Sequence, residues 1–181
     1  LNPLLVAHGF VTASIGYRLS GEAHWPVPLH DVLAALRWLR GRAGDFGADP
    51  ERLGVWGHSA GAHLAALAAL TLTGPERIGA VALSACPGDL RAERLDSGNE
   101  VARLLGPHAG PGALADASPV HHVRPDSPPF LLLHGTADWL VPLSQSVQLH
   151  EALVAAGAQA ELVPVEGAGH IWLGSGDVDR I

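Results

Sequence analysis

Apolar runs that resemble strands alternate with helical patterns along most of this chain, and this alternation restricts the fold more than any other feature. The strand-like runs span residues 10–17, 52–57, 78–84, 129–135 and 160–167. The helical patterns span residues 2–9, 27–44, 60–72 and 142–157, with shorter helices predicted near 99–105 and 112–116. Continuously apolar strands that alternate with helices predict a mostly parallel sheet covered by helices on both faces. The predicted fold class is therefore α/β.

The composition is that of a globular protein. The chain has 181 residues, of which 48% are hydrophobic and 16% charged, enough for one domain with a sizeable core. A net charge of −7 argues against a general attraction to nucleic acid or to anionic membranes. No apolar run reaches the roughly 18 residues of a membrane-spanning helix. Cys86 is the single cysteine, which excludes an internal disulfide and a cysteine-based metal site.

The segment GVWGHSAGAHLAAL, residues 54–67, joins a predicted strand to a predicted helix through the pattern G-x-S-x-G. In a nucleophile elbow this pattern holds the serine hydroxyl clear of the sheet on a tight turn. We expect Gly57 and Gly61 to avoid bulk where strand and helix approach closely. The helix N-terminus, with the N–H of Ala60, would face a developing negative charge. The alternative is that Ser59 only caps a glycine-rich helix start.

Two further polar residues each follow a later predicted strand. Asp138 comes after residues 129–135, where a carboxylate can either orient a histidine or cap the next helix. His170 follows residues 160–167 on a glycine-flanked loop, a suitable place for a general base, although the chain has 11 histidines. The order Ser, Asp, His is that of the α/β-hydrolase triad, and the carboxyl ends of parallel strands share one edge of the sheet. We therefore predict that Ser59 is the nucleophile, His170 the base and Asp138 the acid.

Most of the chain from residue 10 to residue 170 resembles α/β-hydrolase esterases of the hormone-sensitive-lipase-like group. The resemblance is closest to the small carbohydrate-esterase branch of feruloyl and acetylxylan esterases. The matching segments are YRLSGEAHWPVPLHDVLAALRWLR, FGADPERLGVWGHSAGAHLAAL, SPVHHVRPDSPPFLLLHGTADWLVPLSQS and GAGH. Kynurenine-formamidase-like hydrolases share this style of elbow.

The resemblance implies a serine carboxylic-ester hydrolase that forms an acyl-enzyme. It implies Ser59 as nucleophile, Asp138 as acid, His170 as base and the Ala60 N–H as one oxyanion donor. We expect the substrate to be a short-chain or carbohydrate-linked ester, and the chemistry needs neither cofactor nor metal. Two alternatives stay open: an arylformamidase or other amidase with the same triad, and a non-catalytic chain that keeps the fold.

The start of the chain departs from the family pattern. Family members carry a strand and an H-G-G motif upstream of the first helix, and nothing in residues 1–9 matches that motif. The resemblance implies that this strand lies between residues 10–17 and 52–57 in the sheet. We therefore expect residues 1–181 to form one partial catalytic domain, in which those two strands either pair directly or leave a gap. We expect this piece to be weakly active or inactive, and the full-length protein to be active.

Three residues are candidates for the substrate pocket. His58 precedes the predicted nucleophile, Trp139 follows the predicted acid, and Trp172 lies two residues after the predicted base. Either tryptophan can line the acyl or alcohol pocket or pack in the core. His58 and His63 point to different faces at their spacing of five, with no carboxylate to join them, so no metal site is predicted. His134, at the end of a predicted strand, is expected to be a hydrogen-bonded core histidine.

Overall fold

A computed structural model describes residues 2–91 and 98–171 of the chain. The helices are α1 (Asn2–Ala7), α2 (Val27–Arg42), α3 (Ala60–Thr71), α4 (Gly98–Leu105), α5 (Ala113–Asp116) and α6 (Ser144–Ala155). The strands are β1 (Gly54–His58), β2 (Ala80–Ser84), β3 (Phe130–Gly135) and β4 (Ala160–Val165). Short 3-10 turns lie at Ala43–Phe46, Gly74–Glu76 and Pro119–His122. Among the described helices, none is both long and apolar enough to cross a membrane.

The four described strands form a single parallel sheet in the order β1-β2-β3-β4. Val55 pairs with Val81 between β1 and β2, and Leu132 pairs with both Leu83 of β2 and Leu162 of β4. The α/β prediction with a mostly parallel sheet is therefore confirmed. Because the strands are parallel, the residues that follow each of them lie along the same edge of the sheet.

Helix α3 occupies the centre of the core. Its sequence is apolar nearly all round, as expected of a buried helix, and Leu67 and Leu70 are completely buried. It packs against β1, β2 and α2, and the same apolar cluster includes residues of α6. Burial of this kind contributes about 1.5–3 kcal/mol for each large apolar side chain. The packing fixes the N-terminus of α3 against the carboxyl end of β1.

The strand predicted at residues 10–17 is wrong, because this segment has no regular secondary structure. A strand needs a hydrogen-bonded neighbour, and β1 is paired with β2 on one side of the described sheet. Among the described backbone hydrogen bonds, none joins residues 11–17 to β1. Ile15 and Tyr17 nevertheless pack against the core cluster. Phe10 and Val11 are 59% and 56% exposed, so only part of the segment is covered by the core. Direct pairing of the two segments does not occur.

His63 is a buried titratable group in α3. The residue is 4% exposed, and its Nε2–H donates to the carbonyl oxygen of Ala117 at 2.6 Å. Burial lowers the pKa of His63 to about 4, because the charged ring would lose its hydration. The folded protein therefore keeps this ring neutral at pH values where a histidine in the unfolded chain is already protonated.

This difference predicts that the His63 site destabilises the fold in mild acid. Between about pH 6.5 and pH 4 the unfolded state binds the proton and the folded state does not, so stability falls as the pH falls. The loss amounts to about 1.4 kcal/mol per pH unit, or about 3 kcal/mol across the range. Urea unfolding at several pH values should show a shallower acid slope in His63→Gln, which keeps an N–H for Ala117 but does not titrate there. Equal slopes in the two proteins would contradict the prediction.

Candidate active site

Ser59 lies on the turn between β1 and α3, as the sequence pattern predicts. Its backbone has φ 52° and ψ −121°, a conformation that costs a non-glycine residue about 1–3 kcal/mol. The Ser59 N–H donates to Ser84 O at 2.9 Å, and Ser59 O accepts from the His63 N–H at 3.0 Å. The side chain makes no capping hydrogen bond to α3. The geometry is therefore that of a nucleophile elbow and not that of a serine cap.

Of the two elbow glycines, only one is required by close packing. A Cβ built on Gly57 would lie 2.3 Å from Gly61 O and 2.6 Å from Ala62 N, well inside contact distance. A Cβ on Gly61 would meet nothing within 4 Å. The expectation that Gly61 also avoids bulk is therefore wrong. Gly57 lies close to the backbone carbonyl of Gly61, whereas a side chain added at Gly61 would point into open space.

Ser59, Asp138 and His170 are brought together at the carboxyl edge of the sheet. His170 Nε2 lies 2.9 Å from Ser59 Oγ, and His170 Nδ1 lies 2.8 Å from Asp138 Oδ2. A carboxylate can only accept, so Nδ1 carries the proton and Nε2 accepts from the serine hydroxyl. The His170 residue is 9% exposed and the Asp138 residue 8%. The three side chains thus form one continuous hydrogen-bonded chain, in which Asp138 and His170 are buried and Ser59 is half-buried.

The loops that carry Asp138 and His170 are bound to each other. The Ala137 N–H donates to Ala168 O at 3.0 Å, and the Gly167 N–H donates to Thr136 Oγ1 at 2.9 Å. At the end of β3, a Cβ on Gly135 would lie 2.1 Å from Ala168 O, so glycine is required there. This close approach sets the separation of the acid and base side chains.

A cavity of about 430 Å³ opens onto Ser59 and Ala60. Ala60 is the first residue of α3, and no described hydrogen bond uses its N–H. That donor is available to a negative charge that develops beside Ser59. The wall is largely apolar and includes Leu64, Leu90, Leu104, Leu140 and Val141. Polar residues also line it, namely Tyr17, Arg18, Ser20, His63 and Glu100, and the sequence analysis singled out none of them as pocket residues.

Neither His58 nor Trp139, two of the three predicted pocket residues, lines this cavity. His58 Nδ1 pairs with Ser84 Oγ at 3.1 Å, and burial together with nearby His170 lowers the pKa of His58. Trp139 is 75% exposed, so it belongs neither to the cavity wall nor to the core. The next two residues line the cavity instead, because both donate their N–H to Asp138 Oδ1 and fold inward with that turn. Trp172 lies outside the described residues.

The two histidines of the elbow segment, His58 and His63, form hydrogen bonds with different partners. His58 contacts Ser84, and His63 contacts Ala117. Within residues 2–91 and 98–171, no group of three or more histidine, cysteine or acidic side chains is arranged to hold a metal ion. The buried Cys86 thiol has its pKa raised by burial.

A parallel sheet that presents a serine on a strand-to-helix elbow, with a histidine and an aspartate from later strands within hydrogen-bond distance, defines an α/β-hydrolase. Residues 2–153 match the BD-FAE family model. The chain belongs to the BD-FAE family.

Named relatives and solved structures agree with this assignment. Esterase LipQ of Mycobacterium tuberculosis (strain ATCC 25618 / H37Rv) is 35% identical over 85% of this chain. A structure of a truncated carbohydrate esterase from gut microbiota is 34% identical, with a TM-score of 0.76 over 87% of this chain and 66% of its own. Thermogutta terrifontis esterase 2 phosphonylated by sarin is 31% identical, with a TM-score of 0.71 over 86% of this chain and 60% of its own. The chain spans 40% of the length of LipQ.

Proposed function

We propose that the protein is a serine carboxylic-ester hydrolase whose catalytic residues are Ser59, His170 and Asp138. The observation that carries the proposal is the hydrogen-bonded chain from Ser59 Oγ through His170 to Asp138, with contacts of 2.9 Å and 2.8 Å. This is the arrangement by which a base activates a serine hydroxyl and an acid orients the base. Relatives named as esterases support the same reaction class.

The attack step follows from the proton positions. Ser59 Oγ attacks the ester carbonyl while its proton passes to His170 Nε2. Asp138 Oδ2 stabilises the resulting imidazolium through Nδ1–H. The carboxylate stays oriented because its other oxygen accepts the N–H groups of Leu140 and Val141 at 3.0 Å and 2.8 Å.

The oxyanion of the tetrahedral intermediate is held by the Ala60 N–H at the N-terminus of α3. A single donor of this kind contributes about 10²–10³-fold in rate. His170 then returns its proton to the leaving alcohol, which leaves an acyl-Ser59 ester. Water, activated by His170 in the same way, hydrolyses this acyl-enzyme and regenerates the serine.

The substrates that fit this site are short-chain or carbohydrate-linked esters. The cavity of about 430 Å³ lies toward the small end of ligand sites and has a largely apolar wall, which suits a small acyl group. The similarity to a carbohydrate esterase supports a sugar as the alcohol.

A fluorophosphonate probe tests the nucleophile directly in the full-length protein. We expect the wild type to be labelled at Ser59 and Ser59→Ala to show no labelling, because the probe needs an activated hydroxyl. Ser20→Ala is the matched control, since Ser20 also lines the cavity and should leave labelling unchanged. An unlabelled, folded wild type would contradict the proposal. Turnover of N-formylkynurenine but of no aryl acetate, acetylated xylan or methyl ferulate would instead show an amidase with the same triad.

A further inference from the structure

His134, next to last in β3, lies completely buried beneath the triad. Its Nε2 is 2.8 Å from Val141 O, and its Nδ1 is 2.7 Å from Ser146 Oγ. A carbonyl oxygen can only accept, so Nε2 carries a proton and donates it to Val141 O. In the neutral ring, Nδ1 then accepts from the Ser146 hydroxyl. The ring therefore joins the start of α6 to the loop that carries the acid.

The same ring also approaches the acid itself. His134 Nε2 lies 3.4 Å from Asp138 Oδ2, the same oxygen that accepts the hydrogen bond from His170 Nδ1–H. Val141, whose carbonyl is held by His134, donates its own N–H to Asp138 Oδ1 at 2.8 Å. The carbonyl of Val141 is thus held by His134, and its N–H is held by Asp138. These two hydrogen bonds also fix the position of the Asp138 carboxylate.

We infer that His134 is a positioning residue for the proposed ester hydrolysis: it holds the loop of residues 138–141 so that Asp138 Oδ2 stays aimed at His170. The inference rests on the proposed function of the triad. A neutral ring suits this role, since a protonated His134 would compete with His170 for the carboxylate. Burial lowers the pKa of His134 and so keeps the ring neutral.

The test compares His134→Phe with His134→Gln. Phenylalanine fills the same space but leaves Val141 O without a donor, whereas glutamine carries an N–H that reaches the position of Nε2. We expect kcat for a small aryl ester to fall by about 10²-fold in His134→Phe, because a displacement of about 1 Å costs that much, with KM changed less than about threefold. We expect His134→Gln to recover kcat to within about tenfold of the wild type.

Ser146→Ala is the matched control, because it also removes a buried hydrogen bond of His134 but leaves the contact with Val141. Its kcat should stay within about threefold of the wild type, with rates normalised to sites titrated by the fluorophosphonate probe. If His134→Phe does not fold, His134→Asn replaces it, since asparagine reaches Ser146 but not Val141.

The outcomes separate this inference from the proposed function. The role of His134 would be overturned if His134→Phe or His134→Asn kept the full kcat. It would also be overturned if His134→Gln lost as much kcat as His134→Phe or His134→Asn. Neither result would contradict the proposed triad. A wild type that neither reacts with the probe nor hydrolyses esters would overturn both.

Discussion

Replacing Asp138 with asparagine is expected to lower kcat for a short-chain ester by about 10⁴-fold while the fold stays intact. One carboxylate oxygen of Asp138 accepts the N–H groups of Leu140 and Val141. Only the amide oxygen of asparagine can take that place, so its NH₂ must face His170 Nδ1. Because the asparagine NH₂ donates a hydrogen bond, His170 Nδ1 has to accept it and cannot carry the ring proton. The ring proton is then on Nε2, and Nε2 can no longer take the proton of the Ser59 hydroxyl.

Steady-state kinetics together with thermal unfolding would test this prediction. The melting temperature should change little, because asparagine keeps both backbone contacts of the loop. Asp126→Asn is the control, since Asp126 is an exposed carboxylate that pairs with Arg124 at 3.0 Å and makes no described hydrogen bond to Ser59, Asp138 or His170. Activity of Asp138→Asn within tenfold of the wild type would show that the aspartate does not set the histidine tautomer.

Replacing Gly57 with alanine is expected to destabilise the protein by about 3 kcal/mol or more. The added methyl group would lie 2.3 Å from Gly61 O and 2.4 Å from Gly61 C. These are backbone atoms at the start of a helix packed in the core, so no side-chain rotation relieves the clash. Strand β1 and helix α3 must separate, which also displaces Ser59 from His170 and removes activity.

Gly61→Ala is the matched control for this experiment. The two positions lie four residues apart, but a Cβ at Gly61 meets open space. Since alanine is the better helix former, Gly61→Ala should leave stability unchanged or raise it by up to about 1 kcal/mol. Urea unfolding at pH 7 compares the two variants, and equal free energies of unfolding would contradict the structural account of the elbow.

The three candidate catalytic residues could be found from sequence because each directly follows an apolar strand. In a parallel sheet this fact alone brings the segments to one edge, so the order of Ser59, Asp138 and His170 along the chain was informative. The helices and four of the predicted strands were found for a similar reason, since the spacing of apolar residues reports which face is buried.

Other features depended on neighbours that a local pattern does not contain. Residues 10–17 have the composition of a strand, but no described backbone hydrogen bond joins residues 11–17 to a strand of the sheet. Trp139 follows the acid in sequence, but the turn formed by Asp138 directs it to solvent and leaves Leu140 and Val141 in the cavity wall. His134 is one of 11 histidines in the sequence, and only its contacts distinguish it.

The sequence by itself determined the α/β class, the parallel sheet, the elbow at Ser59 and the chain order of the three candidate catalytic residues. All of these depend on periodicity and on what directly follows each strand. The tertiary structure alone decided which glycine the elbow requires, which side chains line the cavity and which buried ring supports the acid. These depend on distances between segments that lie far apart in the chain, such as the 2.9 Å between Ser59 and His170, and packing of the whole domain sets such distances.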